Sequence, residues 1–390
     1  MSLRTPTTPS PSMSPSPSAK RALPTQEVLV GESCRRKAKT AHEESPFIRF
    51  GRHYVRTIEM FSLPSVVITH GLLWDPDENP NTFTVIENRH FASFQALVKL
   101  VPVFALKVDG DEGSPEDLQR WMDEFAACLQ LGASGAKSDD TRSLRGSVID
   151  WLKVDFPADT VNLNRDTKVG RGFRNKVTGR LLCPVMLDWN DESVRTELLN
   201  RTVTIDGEPV NGSHWPAFLY ASGIYNESVP WVGFLMGENL LRTYLHIFIS
   251  PSSAKGAEEH SGDGRATRSG NAANYGMTEV TKASIAYAAA QLYFALSDSA
   301  VFNKHQKNCD ALGLYNAIRD YLEDPEFKSD TNDLLAWWNR HVFPAHHVEK
   351  SKMNHGLAHM RAARAAARSS GAVTVGGEDQ QQDGDGSGSA

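Results

Sequence analysis

The segment from Tyr275 to Ser299, YGMTEVTKASIAYAAAQLYFALSDS, constrains the fold of this chain more than any other part of the sequence. It is apolar on nearly every face of a helix, and its strongest stripe comprises Ile285, Ala288, Ala289, Leu292 and Leu296. A helix that is hydrophobic all round is stable in water only when other elements surround it. We therefore expect a central helix that is enclosed by further helices.

Other segments with helical periodicity supply these surrounding elements. Thr84 and Glu87 form a capping box before an apolar stripe that ends at Pro102. Ser114 caps a second helix, which we expect to end at Gly132.

A third helix is predicted for RSLRGSVIDWL, residues 142–152, and a short one after Asp191, where an acid suits the positive end of the helix dipole. The segment TVTIDGEPV alternates around Asp206 and Gly207, which predicts a hairpin. Two more helices follow the central one, and Trp338 falls on the apolar face of the last. The fold class is thus mainly α, a single large helical domain with a minor β-hairpin, flanked by disordered tails.

Composition sets the limits of that domain. Residues 1–45 form a Ser/Thr/Pro-rich tail with basic clusters, and residues 371–390 form an acidic, glycine-rich tail, because neither holds enough large apolar residues to offset the entropy of ordering. The helical domain spans residues 46–345 and contains a low-complexity loop at 252–272; a basic, alanine-rich segment occupies 346–370. A division into two domains near Asp188 is the alternative.

Two basic clusters in the N-terminal tail, Lys20-Arg21 and Arg35–Lys39, have the spacing of a bipartite nuclear import signal. The alternative is a basic tail that serves solubility. The four cysteines form no CxxC pair, which favours a reducing compartment, nuclear or otherwise cytoplasmic. No segment reaches the roughly 20 apolar residues that span a bilayer, so no membrane insertion is expected.

The strongest candidate for a binding site is the basic loop, RDTKVGRGFRNKVTGR, residues 165–180. It holds six Lys or Arg residues, whereas the chain average of 41 in 390 predicts about two. Arginine offers bidentate donors to phosphate, and interspersed glycines allow close backbone approach. We expect Lys168, Arg171, Arg174 and Lys176 to reach a nucleic-acid backbone, with Arg180 as an internal strut. The alternative is that these cations pair with acids such as Asp150, Asp155 and Asp188.

A second basic group lies near the C-terminus. Arg361, Arg364 and Arg368 would form one stripe on a helix and could dock on nucleic acid, although a solvated tail is equally consistent with them. His355 and His359 have the i, i+4 spacing of metal ligands but lack the glutamate of a metalloprotease helix, so no metal site is expected.

One pattern indicates chemistry. Asp159, Asp166 and Lys168 could together hold a divalent metal and position water for phosphodiester cleavage. No dinucleotide fingerprint, Walker loop or nucleophile elbow is present, and no cofactor is expected.

Five blocks of the sequence are distinctive: RGFRNKVTGRLLCP, WPAFLYASG, GFLMGENLLRTYLHIFISPSSA, NAANYGMTEVTKASIAYAAAQLYFALSDS and LLAWWNRHVFP. Together they resemble a multigene family of mushroom-type (basidiomycete) fungal proteins that carry only a domain-of-unknown-function label. The resemblance spans roughly Trp74 to Pro344 and implies a folded domain, a fungal intracellular setting and an association with mobile elements. It carries no activity or catalytic residues.

These observations favour a non-enzymatic nuclear protein that contacts DNA, RNA or an acidic protein partner through its basic loop and its C-terminal stripe. A metal-dependent phosphodiester enzyme, active or degenerate, is one alternative. A helical protein-interaction module, whose basic loop is purely structural, is the other.

Overall fold

Helices dominate the structure, a computed structural model that describes residues 45–75, 82–110, 114–254, 270–302, 309–347, 356 and 359–364. The strands in these ranges form one two-stranded antiparallel sheet. The predicted class, mainly α with a minor hairpin, is confirmed. The elements are α1 Pro46–Thr57, α2 Pro64–Leu72, α3 Val85–Leu100, α4 Pro102–Gly110, α5 Pro115–Asp155, α6 Lys176–Leu182, α7 Glu192–Asn200, β1 Thr204–Ile205, β2 Glu208–Pro209, α8 Glu238–Tyr244, α9 Asn271–Asn274, α10 Lys282–Leu296, α11 Ala311–Glu323 and α12 Lys328–Val342.

Several predictions concern parts of the chain outside the described residues. These are the N-terminal tail with its two basic clusters (residues 1–44), most of the low-complexity loop (255–269) and the C-terminal tail (365–390). Most of the basic segment at 346–370 also lies outside them.

The all-round apolar segment is the central helix that the sequence predicts. Every residue of α10 is buried except Lys282 and Tyr293. α1, α5, α8 and α11 all pack against it. Its hydrophobic neighbours form the largest core of the described chain, so the fold is built around this helix.

A buried polar network ties α10 to its neighbours. The guanidinium of Arg56, on α1, donates two hydrogen bonds of 2.7 and 2.8 Å to the carboxylate of Asp140, on α5. The same carboxylate accepts a 2.7 Å bond from the hydroxyl of Tyr287, which in turn accepts one from Gln291. Thr141 closes the chain by donating to the side-chain oxygen of Gln291 at 3.0 Å. Because such a network is stable only when its members are satisfied together, it fixes the register of α1, α5 and α10.

The helix predicted to end at Gly132 instead continues, and it merges with the predicted helix at 142–152 into the 41-residue α5. Gly132 lies inside α5 because α1 crosses there at very short range. A Cβ at Gly132 would lie 2.0 Å from the carbonyl oxygen of Ile48, and a Cβ at Gly51 would lie 2.1 Å from that of Leu129. The glycine therefore serves close helix packing rather than helix termination.

Local signals of other elements are confirmed. Thr84 and Glu87 form both hydrogen bonds of the capping box at the start of α3. The carboxylate of Asp191 accepts from the backbone of Ser193 at the start of α7. Asp206 and Gly207 both adopt positive φ in the turn between β1 and β2.

Trp338 is fully buried on α12 and donates its indole N–H to the carbonyl of Leu235 at 3.1 Å, as its apolar period predicts. Within the described residues, no single helix is both long and apolar enough to cross a bilayer; α3 and α4 reach that limit only when joined, and they meet at 98°.

Candidate functional site

The basic loop is more ordered than its sequence predicts. Gly170 and Gly172 adopt positive φ, 80° and 68°, where glycine alone is free of strain, and they form a turn on either side of Arg171. From Lys176 the chain is helical, because the side chain of Asn175 caps α6 by accepting from two backbone amides. The prediction that residues 165–180 form a loop is therefore wrong for the second half of this segment.

Lys168 and Arg171 point into the protein, where they cap the C-terminal end of α10. The ammonium of Lys168 donates to the carbonyl of Phe294 and lies 3.2 Å from the centre of its ring. The guanidinium of Arg171 donates to the carbonyl of Ala295 at 2.8 Å and, at 2.8 Å, to that of Arg145 on α5. Cations at this position compensate the unpaired carbonyls and the negative end of the helix dipole. The expectation that Lys168 and Arg171 reach an outside partner is thus contradicted by their burial.

Burial also shifts the proton affinities of these two groups. Desolvation lowers the pKa of Lys168 to about 7 against the weaker opposing effect of Cys309. Desolvation and then the nearby charge of Arg145 lower the pKa of Arg171 to about 10. The Phe294 ring and the helix end favour the charged form of Lys168, so they limit its shift without reversing it.

Arg174 and Lys176, the other two predicted contact residues, are exposed. Arg174 lies 3.7 Å from Asp298, and Lys176 lies 3.9 Å from Asp159, at the long limit of ion pairing. Exposed pairs of this kind contribute about 0–1 kcal/mol, so both cations remain free to exchange partners.

The predicted strut, Arg180, is exposed as well, and Arg171 takes that role. Of the proposed acid partners, Asp150 pairs with Arg165 at 3.0 Å. Asp155 pairs instead with Arg242, on α8, at 2.5 Å. Of the three acids named in the sequence hypothesis, Asp150 thus pairs with a cation of the basic loop, and that cation, Arg165, is exposed. The two buried cations, Lys168 and Arg171, bind backbone carbonyls instead.

The residues of the phosphodiester hypothesis do not converge. Asp166 and Lys168 line one cavity, whereas Asp159 lines another. Across the described ranges, no group of three or more His, Cys, Asp or Glu side chains is placed to hold a metal ion. The geometry gives this chemistry no support.

The C-terminal stripe is described only in part. Arg361 and Arg364 lie in an exposed helical stretch at 359–364, whereas Arg368 lies outside the described residues. Of the two histidines with metal-ligand spacing, His359 is exposed and His355 is outside the described residues.

A groove of about 1440 Å³ runs along α5 and is here called the α5 groove. One wall is a polar face of α5 with helical spacing: Gln130, Ser134, Lys137, Ser138, Thr141, Arg142 and Arg145. Arg142 and Arg145 are exposed, and neither side chain forms a hydrogen bond or an ion pair with any residue that the structure describes. Arg174 lines the same groove, so three exposed guanidinium groups border one cavity.

Other residues that line the α5 groove are apolar. Phe61 and Phe302 are half-buried and stack at 6.2 Å, and Leu63, Val169 and Val301 contribute exposed side chains. The lining of the groove therefore combines cations with apolar surface.

The inner end of the α5 groove holds Tyr54, whose hydroxyl is buried without a partner among the described groups. Burial and the charge of Glu59 raise its pKa well above the ordinary value, so it stays protonated. The carboxylate of Glu59 is occupied, since it accepts from the backbone of Phe61 and Ser62.

Sequence reasoning missed Arg142 and Arg145, although a signal was present. The two arginines lie at i and i+3 in the helix predicted for residues 142–152, and they occupy its outer face beside Thr141 and Ser138.

Comparison with known proteins bears on the same region. No curated protein and no solved structure matches the chain. A model described as a family of unknown function, DUF6698, matches residues 131–343, from within α5 to the end of α12, and so includes the α5 wall, the basic loop and α10. Because this match covers more than half of the 390 residues, the chain belongs to the DUF6698 family, a family of unknown function.

Proposed function

We propose that this protein is a non-enzymatic binding domain that holds single-stranded nucleic acid in the α5 groove. The observation that carries the proposal is the pair Arg142 and Arg145, exposed side by side on the groove wall with no acid partner in the described part of the chain. Arg174 adds a third guanidinium to the same groove, and its ion pair with Asp298 is long, at 3.7 Å.

Arginines that lack carboxylate partners are suited to phosphate, because a guanidinium donates two parallel hydrogen bonds to an anionic group. Proteins that bind single strands combine such a basic track with side chains on which bases pack. In the α5 groove, Phe61, Phe302 and exposed aliphatic side chains supply that second surface. The cationic and the apolar parts of the lining thus match the two chemically different sides of a single strand.

A double helix fits this geometry less well, because its bases are already stacked and their faces cannot pack on the rings of Phe61 and Phe302. An acidic peptide with apolar side chains is the competing ligand, since aliphatic residues such as Val169 and Val301 would accept it equally. The experiment below distinguishes the two.

The test is the salt dependence of binding of a labelled single-stranded oligonucleotide by the full chain. Removing three phosphate contacts from a single strand is expected to reduce the slope of log K against log salt by about 2. The variant is Arg142→Ala/Arg145→Ala/Arg174→Ala. The control carries the same charge change at three exposed cations away from the groove, Lys99→Ala/Arg120→Ala/Lys153→Ala, and keeps the wild-type slope.

Other outcomes contradict the proposal. Binding that both variants weaken equally would mean a diffuse charge effect with no defined groove. Tighter binding of duplex DNA than of single strands would contradict the proposed packing of unstacked bases in the groove. Selective binding of an acidic amphipathic peptide, with no oligonucleotide binding, would identify a protein-interaction module instead.

We further propose that the protein resides in the nucleus and that the exposed Arg361 and Arg364 contribute to nucleic-acid binding. The support for nuclear residence is the pair of basic clusters near residues 20 and 35 in the sequence. A fluorescent fusion of the full chain is expected to concentrate in the nucleus, and replacement of Arg35, Arg36 and Lys37 by alanine is expected to abolish this. A fusion that is cytoplasmic from the start would contradict it.

A further inference from the structure

A small cavity of about 270 Å³ is formed by α12, the end of α11 and the loop before α8, and it is here called the α12 cavity. Four aromatic side chains line it: Trp231 and Phe234 in the loop, Tyr321 on α11 and Trp337 on α12. Its volume lies just below the range of about 300–1,000 Å³ typical of sites for whole small molecules. The α12 cavity therefore suits a single small chemical group that is surrounded by aromatic rings.

The rings are held in place from outside the α12 cavity and keep part of their surface open. Trp231 is 46% exposed, and Tyr321 and Trp337 are partly exposed. His341 packs against Trp337 with 4.1 Å between ring centres, and Phe327 lies 4.9 Å from the ring of Tyr321. Neither His341 nor Phe327 lines the cavity. Rings that are supported in this way are preorganised for binding.

The loop that carries Trp231 and Phe234 has a strained backbone. Leu235 adopts a φ of 57°, in the left-handed region, which costs a residue with a side chain about 1–3 kcal/mol. Its surroundings hold it there, because Leu235 is fully buried and its carbonyl accepts the indole N–H of Trp338 at 3.1 Å. Strain of this kind persists where a structure must present particular side chains.

Two carboxylates make the α12 cavity attractive to a cation. Asp330 and Asp333 line it from the same face of α12 as Trp337, since the three positions are i, i+3 and i+7. Both acids are exposed, and neither forms a hydrogen bond or an ion pair with a residue that the structure describes. The charge of Asp330 acts on the aromatic lining, because burial and then this charge raise the pKa of Tyr321.

A third charged side chain, Arg340, lines the α12 cavity farther along the helix. It follows Asp333 by seven residues, which corresponds to about 10 Å along the helix axis. Two carboxylates against one guanidinium leave the charge of the lining negative, and the excess lies at the end near Asp330 and Asp333.

Aromatic rings and carboxylates together select a methylated ammonium group. The face of an aromatic ring attracts a cation, and the attraction is stronger when the cation carries less water. An unmodified lysine ammonium is strongly hydrated and has three N–H donors to satisfy. Methyl groups replace these donors and can contact the rings directly, while the positive charge is kept.

We infer that the α12 cavity binds a methylated lysine side chain of a partner protein, with its ammonium group against the aromatic lining and beside the carboxylates of Asp330 and Asp333. The four-carbon stem of a lysine suits the apolar part of the lining, Val232, Met236 and Leu334. A phosphocholine headgroup fits less well, because its anionic phosphate lies two carbons from the ammonium and would face the same carboxylates. The α12 cavity and the α5 groove have no lining residue in common, so this inference does not depend on the proposed function.

The test is fluorescence anisotropy of the full chain with a labelled glycine- and alanine-rich peptide that carries one central trimethyl-lysine. The same peptide with unmodified lysine is the reference. We expect the methylated peptide to bind at least about tenfold more tightly, because cation–π contacts act on it and its hydration is weaker.

Substitutions separate the contribution of the ring from that of the charge. Trp231→Leu keeps an apolar side chain without a ring and is expected to weaken binding of the methylated peptide about fivefold, whereas Trp231→Phe keeps most of the affinity. Asp333→Asn is expected to weaken it about threefold. Asp109→Asn, at an exposed acid of α4 outside the cavity, is the control and keeps the wild-type affinity. Urea denaturation verifies that each variant is folded, and all four change exposed positions.

Arg340→Ala distinguishes a lysine side chain from a lipid headgroup. Removal of this cation is expected to strengthen binding of the methylated peptide. Binding of phosphatidylcholine vesicles that is lost in Arg340→Ala, with no binding of the peptide, would identify a headgroup site and overturn the inference. It is equally overturned if the two peptides bind with the same affinity, if neither binds at millimolar concentration, or if Trp231→Leu leaves the affinity unchanged.

Discussion

Two arginines, Arg171 in the basic loop and Arg142 on α5, place the same guanidinium group in opposite surroundings. Arg171 is fully buried, and its bonds go to backbone carbonyls at the end of α10 and on α5. Arg142 is exposed on the groove wall, with no partner in the described chain. This comparison shows that a cluster of basic residues in the sequence does not by itself identify a binding surface. What separates a structural cation from a binding cation is whether unpaired carbonyls lie within its reach.

Replacing each of these two arginines by methionine gives the largest expected difference in the free energy of unfolding. Arg171→Met removes the donor to the buried carbonyl of Ala295 and to the partly buried carbonyls of Arg145 and Asn164, and we expect a loss of roughly 3–5 kcal/mol in the free energy of unfolding. Arg142→Met is expected to change it by no more than about 0.5 kcal/mol. Urea denaturation measures both. Equal stability of the two variants would remove the distinction between the two regions.

The same contrast between an inner and an outer position holds for two glycines of α5. An alanine at Gly132 would push its Cβ to 2.0 Å from the backbone of α1, so we expect a loss of about 2–3 kcal/mol. At Gly135 the nearest atom is the flexible end of Arg52 at 3.0 Å, and alanine is expected to gain up to about 1 kcal/mol from helix propensity. Thermal unfolding of Gly132→Ala and Gly135→Ala tests this, and a stabilised Gly132→Ala would refute the close packing of α1 on α5.

The buried Lys168 makes the stability of the protein depend on pH. Its pKa in the folded protein, about 7, lies below the ordinary 10.5, so the unfolded chain binds more protons between these values. Stability must therefore rise with pH across that window, by about 1–2 kcal/mol when the favourable contacts of the ammonium are counted.

We expect Lys168→Met to abolish this rise of stability with pH. Lys153→Met, at an exposed lysine of α5, is the control and is expected to retain it. The comparison is made by urea denaturation at pH 7, 8.5 and 10. A Lys168→Met variant with the wild-type pH profile would mean that the buried amine keeps its charge throughout.

Much of the fold could be predicted because its signals are local. The capping box of Thr84 and Glu87, the cap of Asp191 and the turn at Asp206-Gly207 each depend on a few neighbouring residues. The central position of α10 followed from its composition alone, since no other arrangement hides an all-round apolar helix.

The misses depend on contacts between distant segments. In the sequence, a glycine that ends a helix cannot be told from one that lets a second helix pack closely. At Gly132 only the close approach of Ile48 distinguishes the two roles. Likewise, nothing near Arg171 in sequence reveals that the end of α10 lies beside it. Buried arginines are expected to find carboxylates. Here backbone carbonyls take that place, and one of them, that of Ala295, lies more than a hundred residues away along the chain.

The most direct test of the separation between structural and binding cations measures stability and single-strand binding on the same two proteins, Arg171→Met and Arg142→Ala/Arg145→Ala. We predict that Arg171→Met loses several kcal/mol of stability and, at temperatures where it is folded, keeps the wild-type salt slope for binding. The double variant should keep wild-type stability while the slope falls by about 1.4, the value for two lost phosphate contacts. Unchanged binding by the double variant, or a lost slope in folded Arg171→Met, would contradict the assignment of the α5 groove as the binding surface.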